Sequence, residues 1–218
     1  MKISFFAVFF VVFITSCSTT KKAGLFEGTI KYELSYPEMD NPGMAAMLPS
    51  ETTIYYKGSK QRMEQKMAMG MSTYVITDME KEQVTVLMDM MGKKFAMDQD
   101  FGEAGGQDTG AKLKSVDSKP SKVIAGYNCI KAVFETEDGS TFDVYFTKEL
   151  GTGPKQKMGP FKEIDGLMMQ FNMDQNGMKI ELQAEEVKKE VVSDTKFIIP
   201  EGYKKTTPEE LQKIMMGG

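Results

Sequence analysis

Apolar and polar residues alternate in short runs along most of this chain, which is typical of β-strands with one buried and one solvated face. The clearest run covers residues 26–36. Its apolar positions are Phe26, Ile30, Tyr32, Leu34 and Tyr36, and charged or small polar residues fill the other parity. Pro37 ends the run, because proline cannot donate the next ladder hydrogen bond. The pattern predicts an amphipathic strand at the start of a sheet.

Further runs follow as a series of predicted β-hairpins. Residues 57–97 are divided by Gly58, Gly70, Asp78 and Gly92, which are residues that favour turns. Two later turn sequences, Glu137-Asp138-Gly139 and Gln175-Asn176-Gly177, also favour tight hairpins. The chain is therefore predicted to be mostly β, with one large antiparallel sheet.

The strands on either side of the Asn-Gly turn are predicted at residues 162–174 and 178–188. Their apolar parities consist of Leu167, Met169, Phe171 and Met173 in the first strand and Met178, Ile180, Leu182 and Ala184 in the second. We expect these two strands to pair with their apolar faces on the same side.

Two polar, glycine-rich segments, residues 98–119 and 149–160, are predicted to be long loops. Residues 197–200 are predicted to be a short terminal strand. Thr207, Pro208 and Glu210 form a capping-box sequence that predicts a short C-terminal helix over residues 208–216. Its apolar stripe, made of Leu211, Ile214 and Met215, is expected to cover the sheet.

The composition of the chain argues against several classes of function. The formal net charge of −4 argues against nucleic-acid binding, which needs a basic surface. Histidine is absent, so the common general base and the commonest metal ligand are missing. We therefore predict no catalytic residues, no cofactor, no metal site, and a protein that is not an enzyme.

The first residues predict export. Lys2 precedes an apolar segment of signal-peptide length, which is too short to span a bilayer. Residues 14–17, Ile-Thr-Ser-Cys, resemble a bacterial lipobox, which implies lipid attachment at Cys17 and cleavage before it; an ordinary secretory signal with an incidental cysteine is the alternative. The predicted organisation is a signal peptide at residues 1–16, a lipidated cysteine and tether at 17–24, and a single β domain at 25–218. By resemblance to other bacterial lipoproteins, Ser18 favours the outer membrane. No acidic run follows Cys17, which favours the side that faces the periplasm.

Several stretches of the mature chain resemble a bacterial envelope lipoprotein domain of unknown function. They include residues 26–32, FEGTIKY, residues 125–129, AGYNC, and residues 197–203, FIIPEGY. By strand order this domain is similar to the LolA and LolB lipoprotein carriers. The resemblance implies a sheet curved into an open half-barrel whose concave, apolar face holds acyl chains. LolA-type carriers use an arginine on that face, but Arg62 has the opposite parity to Met63 and Met67, so this role is not transferred.

Twenty methionines are the outlier in composition. Three roles would explain them. They fill ordinary apolar strand positions, line an adaptable cavity for apolar ligands, or bind a soft metal through thioether sulfur. The predicted ligand-binding face comprises Met63, Met67, Val86, Met88, Leu167, Met169, Phe171, Met173, Ile180 and Leu182. The metal alternative rests on Met67-x-Met69-x-Met71 and Met88-x-Met90-Met91.

The sequence favours the first of three functions, and the other two are alternatives. The first is a membrane-anchored module that binds a lipid or other hydrophobic small molecule. The second is a structural or interaction lipoprotein with an unknown protein partner. The third is a methionine-rich buffer for Cu(I) or oxidants. Cys129, the only cysteine after Cys17, is predicted to be a buried structural thiol.

Overall fold

The structure, a computed structural model, describes residues 24–99, 110–154, 160–175 and 177–215. Within these ranges the chain forms one large, curled and unclosed sheet of thirteen strands, with two short α-helices. This confirms the predicted mostly-β fold class and its open half-barrel. The strands are β1 (Gly28–Ser35), β2 (Glu51–Lys57), β3 (Lys60–Lys66), β4 (Met71–Asp78), β5 (Gln83–Met90), β6 (Lys93–Gln99), β7 (Lys112–Val116), β8 (Lys122–Ile124), β9 (Tyr127–Glu135), β10 (Thr141–Thr147), β11 (Leu167–Gln175), β12 (Met178–Lys189) and β13 (Lys204–Lys205).

The helical elements are all short. They are α1 (Pro42–Ala45), α2 (Pro208–Met215) and the 3₁₀ helices Ala68–Gly70, Pro160–Glu163 and Asp194–Phe197. None of the helices in the described part of the chain is both long enough and apolar enough to cross a membrane.

Two runs of consecutive hairpins make up most of the sheet. Strands β1 to β6 form one run, strands β9 to β12 form the other, and β1 joins them by pairing antiparallel with β12. Leu182 of β12 lies opposite Leu34 of β1 on one side and Phe171 of β11 on the other. The predicted pairing of the strands around residues 176 and 177 is therefore confirmed, together with its apolar register.

The strand register defines two faces. We call the side that carries Ile30, Tyr32 and Leu34 the core face, and the side that carries Tyr55 and Arg62 the opposite face. The largest hydrophobic cluster extends from β2 through β1 to β9. Its buried members are Phe26, Ile30, Tyr32, Leu34, Ile54, Tyr56, Ile124, Cys129, Ala132, Phe134, Val144, Phe146, Leu150, Leu167, Met169, Phe171, Ile180, Leu182 and Ala184.

The C-terminal segment passes around the β6 edge of the sheet. Val192 and Phe197 pack on the opposite face against Ile76, Leu87 and Ala96. Strand β13 then pairs parallel with β6, and Leu211 of α2 packs on the core face against Phe95 and Met97. One segment thus covers both faces of the sheet at this end.

Some predicted boundaries were wrong. Residues 98–119 were expected to be loop, but β6 continues to Gln99 and β7 pairs with β9 inside that range. Strand β7 reads KLKSV and is exposed except at Leu113, so it has little apolar alternation to reveal it. Edge strands of this kind are held by backbone pairing rather than by burial.

Two other elements differ from the sequence prediction. The strand expected from residue 162 starts at Leu167, because Pro160–Glu163 is a 3₁₀ helix that carries Phe161 into the core. Residues 197–200 do not form the expected strand, because Phe197 belongs to the 3₁₀ helix Asp194–Phe197 and the extended Ile198 after it is part of no strand. The signal peptide, Cys17, most of the tether and Asn176 lie outside the described residues.

Candidate functional site

The structure places the predicted ligand-binding residues on the core face but divides them into three groups. Five of them, Leu167, Met169, Phe171, Ile180 and Leu182, are buried in the largest cluster. Met63, Met67, Val86 and Met88 are half-buried, and Met173 is 42% exposed near the end of β11.

The buried group is covered by the protein itself. The ring of Phe161 packs edge-on against Phe134 and Phe171, with centroids 5.5 and 6.0 Å apart. Phe26 packs against Tyr56 at 5.8 Å, and its N–H donates to the Thr152 carbonyl over 2.8 Å. These side chains occupy the space above β1, β11 and β12, so the five buried residues serve as core.

Half-buried side chains continue across β3, β4 and β5 as a mostly apolar surface, in which Gln65 and Thr73 form a polar pair. Met63 lies opposite Val75, which lies opposite Val86. One row further along, Thr73 lies opposite Met88, and in the next row Met71 lies opposite Met90. We call this surface the methionine band. Its members are Met63, Met67, Met71, Val75, Val86, Met88 and Met90, and all of them are half-buried.

Met71, Val75 and Met90 were not among the residues predicted to bind an apolar ligand, although the sequence motifs offered Met71 and Met90 as metal ligands. Strand β4 reads MSTYVITD and carries apolar residues on both parities. Its Tyr74 and Ile76 pack under the C-terminal segment on the opposite face, while Met71 and Val75 join the band. A strand covered on both faces gives no clean alternation, so only the register assigns its residues to a face.

Helix α2 borders the band. Its N-terminus is held by the capping box, in which the Glu210 N–H donates to Thr207 Oγ1 over 3.3 Å, and the Thr206 N–H donates to the Ala96 carbonyl over 3.0 Å. Leu211 is buried among Phe95, Met97 and the partly buried Val86, Met88 and Met90. The predicted stripe is only partly buried, since Ile214 is 38% exposed.

A cluster of charged and aromatic side chains lies on the opposite face and was not predicted from the sequence. Arg62 is only 6% exposed, and its guanidinium donates to Glu64 Oε1 over 2.8 Å and to the Lys196 carbonyl over 3.0 Å. Its Cζ also lies 4.7 Å from the centre of the Tyr74 ring. Lys196 Nζ lies 3.9 Å from the Tyr55 ring centre and 3.1 Å from Glu64 Oε1. Every charge in this cluster has a partner, so it fastens the C-terminal segment to the sheet.

Burial raises the pKa values of three ionisable side chains in the core. Burial raises the pKa of Tyr56 to about 12 and holds the pKa of Tyr32 well above its ordinary value. Tyr32 remains satisfied, because its hydroxyl donates to the Met168 carbonyl over 2.9 Å. Burial also raises the pKa of the Cys129 thiol, which is free and fully buried. The prediction that Cys129 is a buried thiol is confirmed, and a thiol with a raised pKa is a poor nucleophile at neutral pH.

The opposite face also has a small pocket of about 140 Å³. Its lining combines the apolar side chains of Ile76, Phe197 and Ile199 with polar residues of β3, β4 and β5, including Lys60 and Asp78. Ligand pockets usually hold about 300–1,000 Å³, so this one is too small for an acyl chain. It also lies on the other side of the sheet from the residues predicted to bind a ligand.

The described residues include no group of three or more His, Cys, Asp or Glu side chains placed to hold a metal ion. Every buried side-chain nitrogen or oxygen among them has a hydrogen-bond partner. The core therefore presents no orphaned polar group that calls for a ligand, and the half-buried methionine band is the candidate site. Comparison with protein-family models found no match, and neither did a search of curated proteins.

Proposed function

We propose that this protein is a lipid-anchored, non-catalytic binding module of the bacterial envelope that holds one acyl chain or a similar elongated apolar ligand. The methionine band is the binding surface. Anchoring at Cys17, location at the outer membrane and kinship with the lipoprotein carriers belong to the same proposal and rest on the sequence. The single observation that carries it is the set of seven half-buried apolar side chains on one face of three neighbouring strands.

The energetics of the band favour such a ligand. Each methylene removed from water contributes about 0.8 kcal/mol, so an acyl chain of ten buried methylenes gains roughly 8 kcal/mol before the costs of ordering it. Methionine side chains are unbranched and polarizable, so they adapt to ligands of different shape. Leu211 is the buried contact of α2 with the sheet, and a small outward movement of this helix would lengthen the accessible band.

Ligand binding by the band can be tested in the membrane, where the protein would meet its ligand. Envelope membranes that contain the full chain are incubated with a diazirine fatty acid, irradiated and digested, and the labelled peptides are mapped by mass spectrometry. Labelling is expected on residues 60–90 and is expected to fall when excess unlabelled fatty acid is added.

A matched pair of variants separates specific from incidental labelling. Val75→Gln with Met88→Gln replaces two apolar residues of the band, whereas Met44→Gln with Met47→Gln changes two exposed residues, one in α1 and one just after it. The band variant should lose most of the label and the control should keep it. Equal labelling of both variants, or label confined to other peptides, would refute the proposal and favour an interaction lipoprotein with no small-molecule ligand.

A further inference from the structure

The strand register brings together two methionine groups that are separate in the sequence. Met71 of β4 lies directly opposite Met90 of β5. Met67 follows β3, and its N–H donates to the Met71 carbonyl over 2.9 Å across the 3₁₀ turn Ala68–Gly70. Lys66 and Ser72 are the last paired residues of β3 and β4, so Met67 continues the register opposite Met71. Met67 and Met71 are both extended, with ψ of 167° and 144°.

Three thioether side chains therefore stand in one row on the core face. Neighbouring strands are about 4.8 Å apart, so the outer two α-carbons of the row are separated by about 10 Å. A methionine side chain has three rotatable bonds and can lean towards its neighbour, which allows the three sulfur atoms to converge above Met71. All three residues are half-buried, so the sulfur atoms combine access from solvent with partial shielding.

We propose that Met67, Met71 and Met90 form a binding site for one soft monovalent cation, Cu(I) or its redox-inert analogue Ag(I). Neutral thioether sulfur is a soft ligand that selects Cu(I) over hard or divalent ions. Asp89 and Lys66 belong to the other parity, and the charged group beside the row is Lys93, opposite Met90. Lys93 is exposed, so water screens its charge.

The proposed row differs from the methionine motifs in the sequence. Met91 was grouped with Met88 and Met90, but it occupies the β5–β6 turn with φ of 55° and is 80% exposed. Met69 lies within the 3₁₀ turn, between the paired Met67 and Met71. The row runs across the strands, whereas the spacing in the sequence suggests ligands along each strand.

Competition for Cu(I) tests the site in the full chain, purified in detergent under anaerobic, reducing conditions. The protein is titrated into the Cu(I) complex of bicinchoninate, and loss of the chelator's colour measures transfer. The row variant carries Met67→Leu, Met71→Leu and Met90→Leu. The control variant carries Met44→Leu, Met47→Leu and Met91→Leu, which removes the same number of thioethers from exposed positions outside the row.

Wild type and control are expected to take up one Cu(I) per chain. The row variant is expected to bind at least about 100-fold more weakly, because loss of a group that only supports a metal ligand already costs up to about that much. X-ray absorption should show a shell of sulfur only. Circular dichroism checks the fold, and Met71→Leu alone provides a milder variant if the triple change unfolds. No transfer to wild type, or equal transfer to row and control variants, would overturn the proposal. Cu(I) uptake and fatty-acid labelling are separate measurements on the wild-type chain. A chain that takes up the label but no Cu(I) would overturn this proposal alone, so the two proposals can fail independently.

Discussion

The guanidinium of Arg62 donates a 3.0 Å hydrogen bond to the carbonyl oxygen of Lys196, a residue 134 positions further along the chain. This contact ties β3 to the segment that covers the opposite face. Arg62 is the only arginine in the sequence, and its planar fork also binds Glu64 and lies over the Tyr74 ring. Lysine does not reproduce that combination of hydrogen bonds and stacking.

Replacing Arg62 with methionine should therefore lower the free energy of unfolding by about 2–3 kcal/mol, because a buried charge network loses one member. Hydrogen exchange should also become faster in residues 191–203. Urea unfolding measures the first effect and exchange mass spectrometry the second. Lys114→Met breaks the exposed pair between Lys114 and Glu135 and should cost less than about 1 kcal/mol. Equal losses in the two variants would contradict the fastening role of Arg62.

Phe161 closes the core above β9 and β11 from a 3₁₀ turn. Phe161→Ala removes the ring that contacts Phe134, Phe142 and Phe171. We expect a loss of about 2–4 kcal/mol in the free energy of unfolding, since the ring leaves a cavity that these neighbours fill only in part. Phe161→Leu keeps most of the volume and should cost about half as much. A denaturation midpoint for Phe161→Ala equal to that of wild type would show that the ring does not cover the core.

Gly28 allows close approach of β1 and β12. A β-carbon at this position would lie 2.1 Å from the Lys188 carbonyl oxygen, and its φ is 152°. Gly28→Ala should lower the free energy of unfolding by about 3 kcal/mol, because overpacking and backbone strain each cost about 1–3 kcal/mol. Gly58→Ala is the matched control, because Gly58 has φ of 58° but no atom within 4 Å of the place that a β-carbon would take. Thermal unfolding of the two variants should separate the clash from the strain, and similar melting temperatures would argue against the close approach.

Tyr56 gives the core a defined response to alkaline pH. Its pKa in the folded protein is about 12, above the value of about 10 expected in the unfolded chain. The raised pKa means that the neutral phenol is favoured by folding. Its contribution to stability is fully present below pH of about 10 and is lost as pH rises through about 12.

Spectrophotometric titration of phenolate in the native protein should thus show a late phase that Tyr56→Phe reduces. The free energy of unfolding of Tyr56→Phe should also fall less steeply between pH of about 10 and 12 than that of wild type. Titration of all eight tyrosines in one step near pH 10 would contradict the burial of this hydroxyl.

Local periodicity determined much of this protein. The parity of β1, the pairing of β11 with β12 and the capping box of α2 could all be predicted, since each depends on residues close together in the chain. The apolar parity also identified half-buried Met63, Met67, Val86 and Met88 correctly as core-face residues. The polar strand β7 was not predicted, because an edge strand is held by backbone hydrogen bonds and does not need an apolar pattern in its sequence.

Tertiary contacts decided what covers each face. Whether Phe134 or Met88 is reached by solvent depends on Phe161 and on α2, which lie elsewhere in the chain. The burial of Arg62 likewise depends on the Lys196 carbonyl, and the row of Met67, Met71 and Met90 exists only because the β3–β4 and β4–β5 registers align. A side-chain period fixes which residues share a face, whereas burial and convergence require partners that only the folded chain brings into contact.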